Sequence, residues 1–213
     1  MKSANSIEDI VRRLISTICI AAIALAGCGS DSGELIGFVP TAKSVASVVG
    51  TEATENGATQ PFSFVPNAGE VLVVYFGYTN CPDLCPTTMS AVRAAKKKLG
   101  DDAARVDLAM VTVDAERDTG SILTKYLSSF SDRYHAIVPV DATELEKQKS
   151  AFQVSSSVNK TADGKVEVTH SGTAYVVGPT GEVLVEWPFG LQADSMEHDL
   201  RIILNELREE KTK

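Results

Sequence analysis

Short β-branched apolar runs alternate along the chain with stretches in which apolar residues recur every three or four positions, a pattern that predicts strands interleaved with helices. Val71 to Phe76 is an unbroken apolar run closed by Gly77 and Pro82, the composition of a fully buried strand. After Pro86 the period changes. Thr87 to Leu99 predicts a helix with Met89, Val92 and Leu99 inward and Lys96 to Lys98 at a solvated C-terminal end that favours cations. Val106 to Val113 predicts the next strand, followed by the loop Asp114 to Thr119 and a helix over residues 120–130. A third strand is expected at Ala136 to Val140, then a helix opened by Thr143, with Glu146 three residues later, and running to Phe152. Ser155 to Thr169 is polar, with a turn at Asp163-Gly164 and alternating Val166 and Val168, so it predicts a hairpin or protruding loop that delivers His170. Thr173 to Val177 and Val183 to Trp187 flank the turn Gly178 to Gly181 as an antiparallel hairpin. Met196, Leu200, Ile203, Leu204 and Leu207 mark the inner face of a last helix capped by Asp194 and Glu197, and Pro61 to Val65 reads as a short opening strand. Together these elements predict an α/β sandwich around a mixed sheet.

The first residues follow a different rule. Arg12 and Arg13 flank an apolar stretch from Leu14 to Ala26, and Leu25-Ala26-Gly27-Cys28 places small residues before a cysteine. The apolar run is short of the roughly 20 residues that span a bilayer. The pattern resembles a bacterial lipoprotein signal, which implies that residues 1–27 are removed and Cys28 becomes a lipidated first residue on the extracytoplasmic face of the cell membrane. Residues 28–60, rich in Ser, Gly, Ala, Thr and Glu, are expected to be a flexible tether, and 61–213 the folded domain. The formal charge of -8 becomes -9 on cleavage, since three cations and two anions leave with the signal. An acidic chain with sequence pI near 4.9 lacks the basic stripe that a nucleic-acid partner requires. A monomer is the expected state.

Cysteine usage narrows the chemistry. Cys19 leaves with the signal and Cys28 carries lipid, so Cys81 and Cys85 remain as the thiols. A bridge between residues so close in sequence closes a very short loop and stabilises little, which makes a structural staple the weaker explanation. Both sulfurs fall where a strand hands over to a helix. Helical residues four apart lie about 5–6 Å from each other between Cβ atoms, so the two thiols can reach one metal ion or each other. The helix N-terminus favours thiolates.

Element order and the position of the thiol pair match a thioredoxin-like domain, although Cys-x-x-x-Cys is one residue wider than the thioredoxin pair. Tyr75-Phe-Gly-Tyr-Thr-Asn-Cys-Pro-Asp-Leu-Cys-Pro86, Val113-Asp-Ala-Glu-Arg-Asp-Thr119, and His170 ahead of Thr173-Ala-Tyr-Val-Val-Gly-Pro-Thr-Gly181 resemble the Sco/SenC family of copper-binding, thioredoxin-like proteins. The resemblance implies a thioredoxin-like sandwich whose hairpin or loop insertion carries His170, with copper bound by Cys81, Cys85 and His170. It implies a role in delivering copper to, or reducing the thiols of, the copper A site of cytochrome c oxidase. The partner would be the oxidase's copper-binding subunit or another copper chaperone. Three positions depart from the family pattern: Asn80 replaces a common His, Ala115 a common Pro, and Thr169 an Asp.

The donor set fits such a role. Thiolates suit Cu(I), an added imidazole makes the site acceptable to Cu(II), and three ligands leave a position open for exchange. Structural zinc is usually closed by four protein ligands, and a fourth is not evident. The alternative is a thiol-disulfide oxidoreductase, with Cys81 and Cys85 as its redox pair and the metal incidental; no peroxidase-type cysteine context accompanies them. A lone histidine is more often a surface or packing residue, and it is the resemblance that makes His170 a ligand. His135 and His198 read as structural or solvated. Asp114 and Asp118 are candidates to support the ligands from behind, with Asp114 favoured, although a carboxylate after a strand is more often a turn or helix cap.

Overall fold

The strand expected at Val71 is the spine of the molecule: all seven residues of Val71–Gly77 are buried, with parallel and antiparallel neighbours on its two sides. The structure, a computed structural model, describes residues 33 to 210; the expected signal segment, Cys19 and the lipidation candidate Cys28 lie outside them. The strands are β1 (Val49–Ala53), β2 (Thr59–Ser63), β3 (Val71–Gly77), β4 (Val106–Thr112), β5 (Tyr134–Ile137), β6 (Ser156–Lys160), β7 (Val166–His170), β8 (Ala174–Val177) and β9 (Val183–Trp187). The helices are α1 (Leu84–Leu99), α2 (Gly120–Leu127), α3 (Ala142–Phe152) and α4 (Ala193–Glu210), with a 3-10 helix at Gly100–Arg105. Seven strands form one sheet in the order β2-β1-β5-β4-β3-β8-β9, and β6 with β7 makes a separate two-stranded ribbon. β3, β4 and β5 run parallel; β8 pairs antiparallel with β3, and β9 with β8. This is a mixed sheet flanked by helices, as the pattern of strand and helix units required.

Packing around β3 explains the order. Phe152 on α3 meets Phe64, Phe76 and Tyr175 at ring separations of 5.3–5.4 Å, tying helix and sheet into one aromatic cluster. Met89, Val92, Ala95 and Leu99 give α1 its inner face, while Met196, Leu200, Ile203 and Leu204 do the same for α4, and the two helices pack together. Each buried side chain of this size contributes on the order of 1.5–3 kcal/mol.

The expected tether is the main correction. Residues 34–60 are not a free linker: Val45 is fully buried, β1 pairs with β2 and β5, and Phe38 and Ser44 form bridges to Glu186 and Glu182. Asp199, itself fully buried, accepts hydrogen bonds from the Ile36 and Gly37 amides at 2.7 and 3.0 Å and from Trp187 Nε1 at 2.9 Å. The polar composition of the segment hides a few apolar anchors, held by partners far along the chain. Smaller shifts have local causes. α3 is capped by Asp141, which accepts from the Glu144 amide at 2.8 Å, so the capping pair sits two residues before the Thr143–Glu146 pair. The third strand begins at Tyr134 instead of Ala136. Lys96 is not at a solvated end: its ammonium donates to Val106 O and Ser131 Oγ, and burial pulls its pKa down to about 8.

Candidate metal centre

β3 ends at Gly77 against a crowded wall. A Cβ there would lie 2.8 Å from Cys85 Sγ, 2.8 Å from Tyr75 Cε1 and 3.0 Å from Met110 Cε, so glycine leaves the volume that the second sulfur occupies. The chain then turns through Tyr78, Thr79 and Asn80 to Cys81, and α1 begins three residues later with Cys85 in its first turn. The Cys85 amide donates to Cys81 Sγ at 3.3 Å. An orphan N–H at the helix start is thereby satisfied by sulfur, and the positive end of the helix dipole faces it.

Asp118 fixes this turn from outside. It is fully buried and accepts from the Thr79 amide at 2.9 Å, from Thr79 Oγ1 at 2.5 Å and from Thr112 Oγ1 at 2.8 Å. The turn before Cys81 is therefore bolted to the end of β4.

His170 is the last residue of β7, and its ring arrives over the two sulfurs. Nε2 lies 3.8 Å from Cys81 Sγ and 3.5 Å from Cys85 Sγ, and the three donor atoms lie within 4.8 Å of one another. Nδ1 is 2.9 Å from Ser171 O. A carbonyl only accepts, so Nδ1 donates to it, and in the neutral ring Nε2 is the lone pair that faces the thiols. The ring stands edge-on to Tyr75 and Tyr78, with centroids 5.8 and 5.7 Å away. Among the described residues, this is the cluster of three metal-ligating side chains that the fold assembles.

The geometry fits a small soft cation. Bonds of about 2.0–2.3 Å to sulfur and nitrogen, spread in a triangle, separate the donors by about 3.8 Å, close to the two sulfur–nitrogen distances observed. Electrostatics disfavours an empty dithiolate: burial pushes the Cys85 thiol up to about 12. Burial raises the Tyr75 hydroxyl too, and then Cys85 adds to the effect. The pocket solvates anions poorly and would be relieved by a bound cation.

The other candidates are placed elsewhere. Asp114 is buried and paired with Arg117, whose guanidinium lies 5.8 Å from the Tyr78 ring centre, so it reaches the cluster only through two intermediates. Asp118 makes the more direct contact. Nothing in its own loop marks it out, because its pairing with Thr79 depends on the register between β3 and β4. His135 sits between Glu52 at 2.7 Å and Asp107 at 3.3 Å, and His198 contacts Glu34 O at 3.3 Å. Thr169 Oγ1 lies 2.8 Å from Ser157 Oγ and joins the two hairpin strands.

A model of the SCO1/SenC family matches residues 54–205, which include all three clustered side chains. The chain belongs to the SCO1/SenC family. A Stutzerimonas stutzeri protein named for copper binding is 30% identical over 150 residues, covering 70% of this chain and 73% of its own. The human mitochondrial SCO1 homolog is 31% identical over 121 residues; this SCO1/SenC chain matches 39% of its length. Among solved structures, Bradyrhizobium japonicum ScoI with copper bound superimposes with a TM-score of 0.61 at 26% identity, over 72% of this chain and 96% of that one.

Proposed function

We propose that this protein is a copper metallochaperone that holds Cu(I) or Cu(II) between Cys81, Cys85 and His170 and serves assembly of the copper A site of cytochrome c oxidase. We further assign it to the extracytoplasmic face of a bacterial cell membrane, held by lipid on Cys28. The observation that carries the reading is the approach of one imidazole nitrogen to both sulfurs, at 3.5 and 3.8 Å. Copper is the cargo. Two thiolates and a neutral imidazole give a neutral complex with Cu(II) and a single negative charge with Cu(I), so both states are tolerable where an uncompensated dithiolate is not. Three protein donors leave a position through which an acceptor's ligand can enter, and transfer then proceeds by stepwise exchange of one ligand for another.

Thiol-disulfide exchange is the second reading, supported by two free, adjacent thiols. It is weakened by Cys85, which is fully buried and held protonated well above neutral pH. Titration of the purified protein with Cu(I) and Cu(II), alongside Cys81→Ser, Cys85→Ser and His170→Ala, separates the two. A carrier loses most of its copper affinity in all three variants. A dithiol reductase keeps most of its exchange rate in His170→Ala, and that result with unchanged copper affinity would overturn the proposal.

A further inference from the structure

The segment that leads into the domain is apolar on both faces. Leu35 and Gly37 turn inward, with Gly37 so close to the sheet that a Cβ would lie 2.5 Å from Val185 and 2.8 Å from Trp187. Ile36, Phe38 and Val39 turn outward and are 53%, 64% and 56% exposed. The outer face of an edge segment in water is ordinarily polar or charged. This one is also fixed in place: Phe38 exchanges backbone hydrogen bonds of 2.9 and 2.8 Å with Glu186, and Asp199 holds the two preceding amides. Three large apolar side chains are thus presented on a rigid support.

We propose that Ile36, Phe38 and Val39 form a membrane-contact patch that inserts into the interfacial region of the lipid bilayer. The inference rests on the reading of Cys28 as the lipidated residue. Ile36 lies eight positions beyond Cys28, and a chain of about eight such steps spans at most about 29 Å. An acyl chain anchored at Cys28 therefore keeps the patch within reach of the headgroups, where an apolar side chain leaves water at little further cost in entropy. The consequence reaches the metal centre. Phe38 bridges to Glu186, Glu186 is level with Tyr175, and Tyr175 with Val74, so three strand spacings of about 4.8 Å separate the patch from β3. Docking through this edge holds the Cys81–Cys85–His170 cluster close to the membrane surface and suits an acceptor whose own metal site lies there.

The test uses the full chain purified with its lipid, mass analysis of Cys28, and vesicles of phosphatidylethanolamine and phosphatidylglycerol with and without brominated acyl chains. In Phe38→Trp the new indole is expected to shift to the blue on vesicles and to lose emission to brominated lipid, beyond the signal of Trp187, which is fully buried in the wild type. Adding Ile36→Ser and Val39→Ser should reverse most of that loss while the protein still floats with the vesicles. A lipidated chain that floats but shows no quenching overturns the patch and leaves the lipoprotein reading standing. Quenching without lipid on Cys28 upholds the patch and sinks the lipoprotein reading; neither lipid nor quenching sinks both. An indole already shielded before vesicles are added, in a concentration-dependent way, points to a second copy of the chain and also overturns the proposal.

Discussion

Asp118→Asn is the most informative single change, because it alters one atom of a fully buried group that touches no proposed ligand. Oδ2 accepts from both the Thr79 amide and Thr112 Oγ1, while Oδ1 accepts from Thr79 Oγ1. An asparagine keeps one acceptor and turns an NH2 toward groups that donate. Losing charge-assisted hydrogen bonds costs about 1.5–3 kcal/mol, and a buried N–H left unpaired adds about 1–3 kcal/mol. The two together predict a loss of about 2.5–6 kcal/mol, which for a domain of this size lowers Tm by about 5–24 °C. The second effect falls on the metal. With Thr79 unbolted, the turn that places Cys81 must be ordered on binding, at about 1–2 kcal/mol per residue fixed, so copper affinity falls roughly 10- to 100-fold. Competition against a Cu(I) chelator at a temperature well below the variant's Tm separates the two effects. Wild-type affinity in a protein that is folded but less stable would refute the claim that Asp118 positions Cys81, and an unchanged Tm would refute its account as a buried structural bolt.

Gly77→Ala should overpack the wall around Cys85 at a cost of about 1–3 kcal/mol, visible as a lower Tm in the metal-free protein and as weaker copper binding from a displaced sulfur. Alkylation under reducing, metal-free conditions near neutral pH should modify Cys81 well before Cys85, since burial holds Cys85 protonated up to about 12; peptide mapping that finds equal rates would contradict this. His135 has its pKa raised: burial alone would lower it, but hydrogen bonds to Asp107 and Glu52 more than offset that. Its stabilisation is complete below about pH 6.5 and is lost as pH rises through the folded value. The Tm deficit of His135→Asn should therefore be larger on the acid side of neutrality than on the alkaline side, and a deficit independent of pH would show that the ring acts by packing alone.

The parts of the fold written in local pattern are legible in the sequence, and the parts set by distant partners are not. The β3 run, the helix face of Met89, Val92 and Leu99, and the Asp163-Gly164 turn, where Gly164 takes a φ of +82°, each carry their signal within a few residues. Residues 34–60 do not. Their order comes from Asp199, from β5 and from the edge of β9, contacts that no window of composition contains. The same distinction runs through the site. Cys81 and Cys85 announce themselves by spacing at a strand–helix junction, and His170 by resemblance to a family motif. In the sequence Asp118 is one of three carboxylates in its loop and one of two candidates to support the ligands, with Asp114 the one favoured. Their roles separate only when β3 and β4 pair in parallel and bring Thr112 beside Gly77, so that Asp118 faces the cysteine turn while Asp114 faces Arg117.

The three donors are also held by supports of unequal strength, and this bears on how cargo would leave. Cys81 lies in the turn between β3 and α1 that Asp118 holds, and Cys85 in the first turn of α1, and both are buried. His170 ends a two-stranded ribbon whose other residues are largely exposed, and such a ribbon is marginal on its own. The contacts that fix the imidazole and the base of its ribbon are Ser171 O behind Nδ1, the edges of Tyr75 and Tyr78 beside the ring, the bonds from the Ser171 amide to Ser155 O at 2.9 Å and from the Ser155 amide to Ser171 Oγ at 3.1 Å, the buried Lys149 ammonium on Ser156 O at 3.2 Å, and an ion pair from Lys160 to Glu116 at 2.6 Å. The ion pair is exposed and contributes little, so the aromatic slot and the backbone contacts carry most of the placement. The imidazole therefore stands on the most exposed of the three supports. On the proposed carrier reading, an acceptor that displaced His170 first would meet copper still held by two sulfurs, and movement of the ribbon would then be the first step of transfer.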